Sequence, residues 1–144
     1  MIRHYHPEDF EGVMQCYRAF DDTLSDVEVK GAKNCLADLH DDNKVVILVA
    51  ENDKIIVGTG MLYLIRIPLH GGVRFGQIEN VAVLPNCRGL GVGKLIIENL
   101  IEMAEWNSCY KVILSCSQKN VPFYEKCGFK DAEHTMKLFL GDKP

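Results

Sequence analysis

The sequence predicts a mixed α/β fold: N-terminal helices, an antiparallel meander, and a strand–helix–strand crossover built onto the same sheet. Apolar runs at Val45 to Ala50, Ile55 to Ile67 and Arg74 to Leu84 are separated only by Asn52-Asp53-Lys54 and His70-Gly71-Gly72. Connections that short leave only antiparallel pairing. A glycine-spaced stretch, Arg88-Gly89-Leu90-Gly91-Val92-Gly93-Lys94, then opens a long amphipathic segment, and a further apolar run follows at Tyr110 to Cys116. With a helix between them, the strands before and after it run parallel and close a right-handed crossover.

Taken in order, Met1 to Tyr5 starts a strand, and Pro7 opens a helix at its first turn, where proline costs nothing and Glu8 and Asp9 suit the helix dipole. Val13, Met14, Tyr17 and Phe20 recur at helical spacing, which ends that helix near Asp21-Asp22. A second helix follows Ser25-Asp26, with Val29, Ala32, Cys35, Leu36 and Leu39 on one face. The polar connection from Asp21 to Asp26 is a candidate pocket border. After the three meander strands, the helix that follows the glycines runs to about Asn107. It buries Leu95, Ile96, Leu100, Ile101, Met103 and Ala104 and leaves Glu98, Glu102 and Glu105 in water. Asn120 caps a short helix that carries Pro122 in its first turn and ends at Gly128. From Phe129 onward, Met136, Leu138 and Leu140 alternate as in a final strand or hairpin. No linker, repeat or low-complexity tract interrupts the chain, so a single domain over residues 1–144 is expected.

Composition narrows the function classes. At 144 residues the chain can bury about 70% of its unfolded surface, enough for an unaided core. Its 47% apolar and 25% charged fractions are ordinary globular values. A net charge of −4 with no basic run argues against a nucleic-acid partner. The longest apolar runs fall short of a membrane span. The cysteines (Cys16, Cys35, Cys87, Cys109, Cys116, Cys127) lack C-x-x-C spacing and paired histidines, so no metal is expected. With no apolar signal core at the N-terminus, they read as reduced thiols of a cytoplasmic protein.

The glycine stretch carries the chemistry. A helix start leaves backbone N–H groups without partners and a partial positive charge, so it favours phosphate or pyrophosphate. Two nucleotide motifs fail on spacing. Leu95 follows Gly93-Lys94 where a Walker loop needs Ser or Thr, and neither Gly89 nor Gly91 begins G-x-G-x-x-G. The remaining pattern, Arg-Gly-x-Gly-x-Gly after a strand, resembles the acetyl-coenzyme A loop of the GNAT acyltransferase superfamily. Four blocks narrow the likeness: Ile78-Glu-Asn-Val-Ala-Val83, Cys87-Arg-Gly-x-Gly-x-Gly-Lys94, Cys109-Tyr-Lys-Val-Ile-Leu114 and Asn120-Val-x-Phe-Tyr-Glu-Lys-Cys-Gly-Phe129. They resemble the glucosamine 6-phosphate N-acetyltransferase subfamily, over roughly Gln77 to Phe129.

That resemblance implies the GNAT fold and transfer of acetyl from acetyl-CoA to the amine of glucosamine 6-phosphate, on the route to UDP-N-acetylglucosamine, by a homodimer. It implies a bulge near Asn80, with the backbone of Asn80, Val81, Ala82 and Val83 binding pantetheine and Arg88 to Lys94 holding the pyrophosphate. Asn120 joins the cofactor site. Cys109 and Tyr110, an ordinary strand start on their own, resemble the segment that each subunit lends to its neighbour. His70, Ser115, Glu79 and Asn80 fall at substrate positions.

Amine attack on a thioester needs a free amine, oxyanion stabilisation and a donor to the departing thiolate, but no covalent nucleophile. No cysteine is assigned that role, and Cys116 reads as a small buried hydrophobe. Tyr124 is the expected thiolate partner, the alternative being a core tyrosine. Phe123 and Cys127 form an i, i+4 pair that turns Tyr124 to the other side of its helix. A phenol near 10 and a thiol near 8.5 differ by about 1.5 units, so full proton transfer costs roughly 2 kcal/mol and hydrogen bonding is the safer description. Glu79 is the candidate base, or else a structural carboxylate paired with a Lys or Arg. An amine near 7.7–8.0 is already about a tenth neutral at pH 7, so a base adds little beyond taking the proton afterwards. Strand alternation forbids Glu79 and Asn80 from addressing one pocket unless a bulge intervenes.

The sequence also departs from the subfamily. Asn80 and Ser115 stand where acids are usual, Ile67 stands at a lysine position, and Phe139 stands where an arginine meets the sugar phosphate. His70, Arg66, Arg74 and Lys137 are the remaining candidates for that contact. A GNAT enzyme for another amine and a non-catalytic acyl-CoA binding module are the competing readings.

Overall fold

Among the described residues, five strands form one sheet in the order in which the chain makes them: β1 (Ile2–His4), β2 (Val45–Asn52), β3 (Ile55–Arg66), β4 (Arg74–Val83) and β5 (Cys109–Ile113). The first three pairings are antiparallel and β4–β5 is parallel. The meander and the crossover therefore stand as expected. The computed structural model describes residues 1–142, and its contacts divide into two compact units, Met1–Leu114 and a shorter one from Ser115 onward. Lys143 and Pro144, included in the predicted single domain, lie outside the described residues.

In the first unit, helices cover both faces of the sheet. Helices α1 (Phe10–Tyr17) and α2 (Asp26–His40) close one face, where Phe10, Val13, Met14 and Leu36 pack with Ile47, Val49, Met61 and Ala82. The start of α2 is set by a reciprocal cap: the Glu28 N–H donates to Ser25 Oγ at 3.2 Å and the Ser25 N–H donates to Glu28 Oε2 at 2.7 Å. The first helix stops at Tyr17 rather than near Asp21, and Phe20 is 65% exposed. Helical spacing continues to Phe20, but that side chain finds no core, and propensity alone does not extend a short helix. Ahead of α1, Arg3 on β1 clasps Asp9 with two hydrogen bonds of 2.8 Å and reaches Glu51 on β2 at 2.8 Å.

Helix α3 (Val92–Trp106) lies on the other face. Ile96, Ile97, Leu100 and Ala104 are buried, and burial of each large side chain stabilises by about 1.5–3 kcal/mol. The close approach requires Gly60: a Cβ there would meet Ile96 Cγ2 at 2.7 Å and Leu100 Cδ1 at 3.0 Å.

Two expectations fail toward the C-terminus. Strand β5 ends at Ile113 rather than Cys116. No strand or hairpin forms from Phe129 to Asp142, and Met136, Leu138 and Leu140 are 93%, 84% and 94% exposed. Alternation makes a strand only where a neighbour supplies the ladder, and among the described residues none does. The second unit holds one short helix, α4 (Val121–Lys126). Asn120 precedes it but does not cap it through its side chain. Asn120 closes a 3-10 turn in helical conformation (φ −93°, ψ −7°), whereas a capping side chain needs an extended backbone.

Candidate active site

The site grows from an irregularity in β4. Thr59 pairs with Ala82 and Met61 with Glu79, so Asn80 and Val81 together stand opposite Gly60. This is the β-bulge that the family resemblance implied, and Asn80 makes it by taking a left-handed backbone, φ +52°. The extra residue shifts the alternation. Glu79 before it and Asn80 within it now line one open cavity of about 430 Å³, together with Tyr63, Ile65 and Gln77.

Within that cavity Gln77 Nε2 donates to Glu79 Oε1 at 2.8 Å. Glu79 is half-buried, and its partner is an amide rather than the Lys or Arg of the structural alternative. Asn80 Nδ2 points at Met61 Sδ, 3.6 Å away. Burial, then Cys35 and Glu79, push the Tyr63 phenol above its ordinary value, so it faces the cavity as a neutral donor. Gln77 could have been found by counting two residues back from Glu79. Tyr63 and Ile65 could not, because their place depends on β3–β4 register. The 21–26 connection lines neither this cavity nor the smaller one near His6 and His40.

Beyond the bulge the two parallel strands diverge. Pairing of β4 with β5 ends at Gln77–Ile113, so on that side the backbone of Asn80, Val81, Ala82 and Val83 has no strand partner among the described residues. The chain then turns through Pro85–Cys87 into the glycine stretch. Gly89 (φ +77°) and Gly91 (φ +84°) are left-handed, and a Cβ on either would meet nothing within 4 Å. Gly93, by contrast, lies in the first turn of α3 with ordinary helical geometry. The first intrahelical bond runs from the Leu95 N–H to the Gly91 oxygen at 3.0 Å, so the N–H groups of Val92, Gly93 and Lys94 precede it. Arg88 Nε donates to the Val83 oxygen at 3.3 Å, tying the loop to the end of β4. Leu90 is 74% exposed, and Lys94 makes only a loose exposed pair with Glu98 at 3.8 Å. An open cradle with unpaired N–H groups fits a pyrophosphate.

His70, Cys109 and Tyr110 gather at the opposite end of the strands. Cys109 stands beside Arg74, at the start of β4, and His70 packs its ring 6.4 Å from that of Tyr110. None of the three lines the cavity. Burial raises the Cys109 thiol, opposed by Arg74, so it is no ready thiolate.

In the second unit, Tyr124 is half-buried. It does not turn away from Phe123; the two rings meet edge-on at 5.0 Å, and Phe129 lies 6.0 Å away on another side. Gly128 lets the chain reverse (φ +97°) and the Phe129 N–H bond back to the Tyr124 oxygen, which draws the second ring in. Burial, then Cys116 and Cys127, raise the Tyr124 phenol. Ser115 Oγ sits 2.9 Å from Thr135 Oγ1. Cys116 is exposed, not the small buried hydrophobe expected.

Residues 8–129 match the family model described as Acetyltransferase (GNAT) family. The chain belongs to the GNAT acetyltransferase family. Among GNAT relatives, it is 44% identical over 77 residues to the glucosamine 6-phosphate N-acetyltransferase of Candida albicans, 54% of this chain and 52% of that protein, so it spans about half that relative's length. It is 38% identical over 102 residues to the Schizosaccharomyces pombe protein of the same name, covering 71% of this chain and 92% of the relative. The solved glucosamine-6-phosphate N-acetyltransferase of Arabidopsis thaliana superposes with a TM-score of 0.82 at 27% identity, over 98% of each chain. The GNAT fold expected from the glycine loop and the element order is thus the fold present.

Proposed function

We propose that this GNAT chain transfers acetyl from acetyl-CoA to the amine of glucosamine 6-phosphate, releasing N-acetylglucosamine 6-phosphate and CoA. The carrying observation is the Asn80 bulge, which joins an acidic cavity to a splayed backbone next to the Arg88–Lys94 cradle. The relatives named above support the acceptor.

The reaction proceeds by direct attack in a ternary complex. The cradle holds the pyrophosphate of acetyl-CoA, and the freed backbone of residues 80–83 holds its pantetheine and stabilises the oxyanion. The roughly one tenth of the amine that is already neutral at pH 7, its first proton lost to water, is the form that attacks, and Glu79 takes up the proton that the nitrogen sheds afterwards. The new C–N bond forms first and places the carbonyl electron pair on the oxyanion; its collapse then breaks the C–S bond, and the thiolate leaves with a hydrogen bond from Tyr124. Because burial raises the Tyr124 phenol further above the thiol, that interaction is hydrogen bonding rather than full proton transfer. The active form proposed is a cytoplasmic homodimer. The placement of Cys109 and Tyr110 away from Glu79 supports their service to a neighbouring copy's site.

The test follows CoA release from acetyl-CoA with glucosamine, glucosamine 6-phosphate, a polyamine and an N-terminal peptide. Preference for glucosamine 6-phosphate is expected. Preference for a non-sugar amine overturns the acceptor, and tight CoA binding without turnover on any amine makes the chain a binding module.

A further inference from the structure

Two side-chain amides, Gln77 and Asn80, line the cavity, and the group each one bonds fixes which of its ends is left for a ligand. An ionised carboxylate oxygen and a thioether sulfur accept hydrogen bonds and have no hydrogen to give. The end of Gln77 that meets Glu79 Oε1 at 2.8 Å is therefore its NH2, and so is the end of Asn80 that meets Met61 Sδ at 3.6 Å. Met61 is 1% exposed, and the Tyr17 hydroxyl donates to the same sulfur at 3.9 Å, so that anchor is fixed in the core.

The oxygens are what remains. Gln77 Oε1, Asn80 Oδ1 and Glu79 Oε2 have no hydrogen-bond partner among the described residues. They are not sealed in either. Among the described residues no buried side-chain oxygen or nitrogen lacks a partner, so Gln77 Oε1 and Glu79 Oε2 are open to the cavity they line, and Asn80 is an exposed residue. Each NH2 keeps one spare hydrogen beside its anchor, whereas these oxygens are wholly unengaged. The wall from Gln77 to Asn80 thus asks for donors.

Its spacing asks for two of them. Nitrogen and oxygen of one amide lie about 2.2 Å apart, which puts Gln77 Oε1 within about 5 Å of the Glu79 carboxylate. Acceptors that close are spanned by donors on adjacent carbons, each through a hydrogen bond of about 2.9 Å. With the amine at Glu79, the second donor is a group on the neighbouring carbon. In glucosamine 6-phosphate both neighbours of the amine-bearing carbon carry oxygen, as a hydroxyl on C1 and a hydroxyl on C3. A peptide N-terminus has a carbonyl there, which would set acceptor against acceptor at Gln77 Oε1. A polyamine has only CH2 there, which displaces water and leaves Gln77 Oε1 unmatched.

We infer that Gln77 is a specificity-determining residue whose oxygen accepts from a hydroxyl vicinal to the reacting amine, so that the site selects vicinal amino alcohols over other primary amines. The inference rests on the acceptor reading above and narrows it to one contact. Gln77 also holds Glu79, and the test separates the two roles.

The experiment compares wild type and Gln77→Met on glucosamine 6-phosphate and on its 1-deoxy and 3-deoxy forms, following CoA release at saturating acetyl-CoA. Gln77 is half-buried, and methionine matches its length, so the fold is kept. In wild type, loss of the accepted hydroxyl should lower kcat/KM about tenfold, the effect of one hydrogen bond left unmatched. Gln77→Met also releases Glu79, and that loss falls on all three substrates alike. The hydroxyl contact is read from the difference: the penalty for the same deoxy sugar should shrink to within about twofold in Gln77→Met. Wild-type kcat/KM that agrees within about twofold on all three sugars overturns the hydroxyl contact without recourse to a variant. A deoxy penalty that persists undiminished in Gln77→Met gives the hydroxyl to another residue and overturns the role of Gln77, with the acceptor reading intact. A wild-type chain that does not acetylate glucosamine 6-phosphate overturns the acceptor reading itself, and the Gln77 assignment with it.

Discussion

Replacing Asn80 with valine separates what the bulge does as backbone from what the side chain does. Asn80 sits at φ +52°, a region that Asn and Gly enter readily and a β-branched residue resists. The strand cannot relax by straightening. Ile78 before the bulge is 3% exposed and Ala82 after it is 4% exposed, on opposite faces, so a register shift would turn one out of its core. The variant keeps the bulge and carries its strain, about 1–3 kcal/mol. At about 4 °C per kcal/mol for this chain length, the melting temperature falls by roughly 4–12 °C. Because Glu79 is adjacent, a shift of about 1 Å costs on the order of 100-fold in kcat. Asn80→Gly removes an amide that donates to Met61 Sδ and keeps the backbone free, so stability changes by less than about 1 kcal/mol and kcat by less than about tenfold. The assay is CoA release with glucosamine 6-phosphate alongside thermal unfolding. Wild-type melting and kcat in Asn80→Val would refute the backbone argument; equal loss of kcat in both variants would move the role to the amide.

Other perturbations probe the cradle, the leaving group and the ion-pair network. Gly91→Val meets open space but forces a side chain onto φ +84°, costing about 1–2 kcal/mol; it should raise KM for acetyl-CoA and leave KM for the sugar alone, and an unchanged acetyl-CoA KM would count against the cradle. Tyr124→Phe should lower kcat about 100-fold while acetyl-CoA affinity persists. Since burial raises the phenol, its proton stays on below about pH 10, and wild-type kcat should show no Tyr124-linked decline between pH 8 and 10; a decline absent from the Phe variant would refute that role. Arg3 and burial act oppositely on Asp9, and the Arg3 hydrogen bonds win, holding its carboxyl below 3.8. The resulting stability is fully present above the unfolded value and is lost as pH falls through the lower folded one. Asp9→Asn should therefore cost about 2–3 kcal/mol at pH 7 and flatten the acid limb of melting temperature below about pH 4; parallel acid limbs would exclude the pair as its cause.

What could be read without coordinates was local. Three strands and α3 announce themselves because apolar runs and glycine turns are near-neighbour patterns, and these elements find their partners within the first unit. The C-terminal alternation at Met136, Leu138 and Leu140 is as regular, yet it forms no strand, since a strand is a property of two segments and no ladder partner pairs with it among the described residues. Tyr63 enters the cavity only through its register with Gln77, fourteen positions on, which no periodicity encodes. Asn80 lies between these cases. The family resemblance implied a bulge near Asn80, and strand alternation says why Glu79 and Asn80 need one to share a pocket. Asparagine and aspartate are among the few side chains that tolerate a left-handed backbone. An Asn at a position where the subfamily usually carries an acid therefore removes a charge and preserves a conformation. The backbone demand of the bulge and the chemical demand of the pocket are separable at this residue, and this chain has kept the first while changing the second.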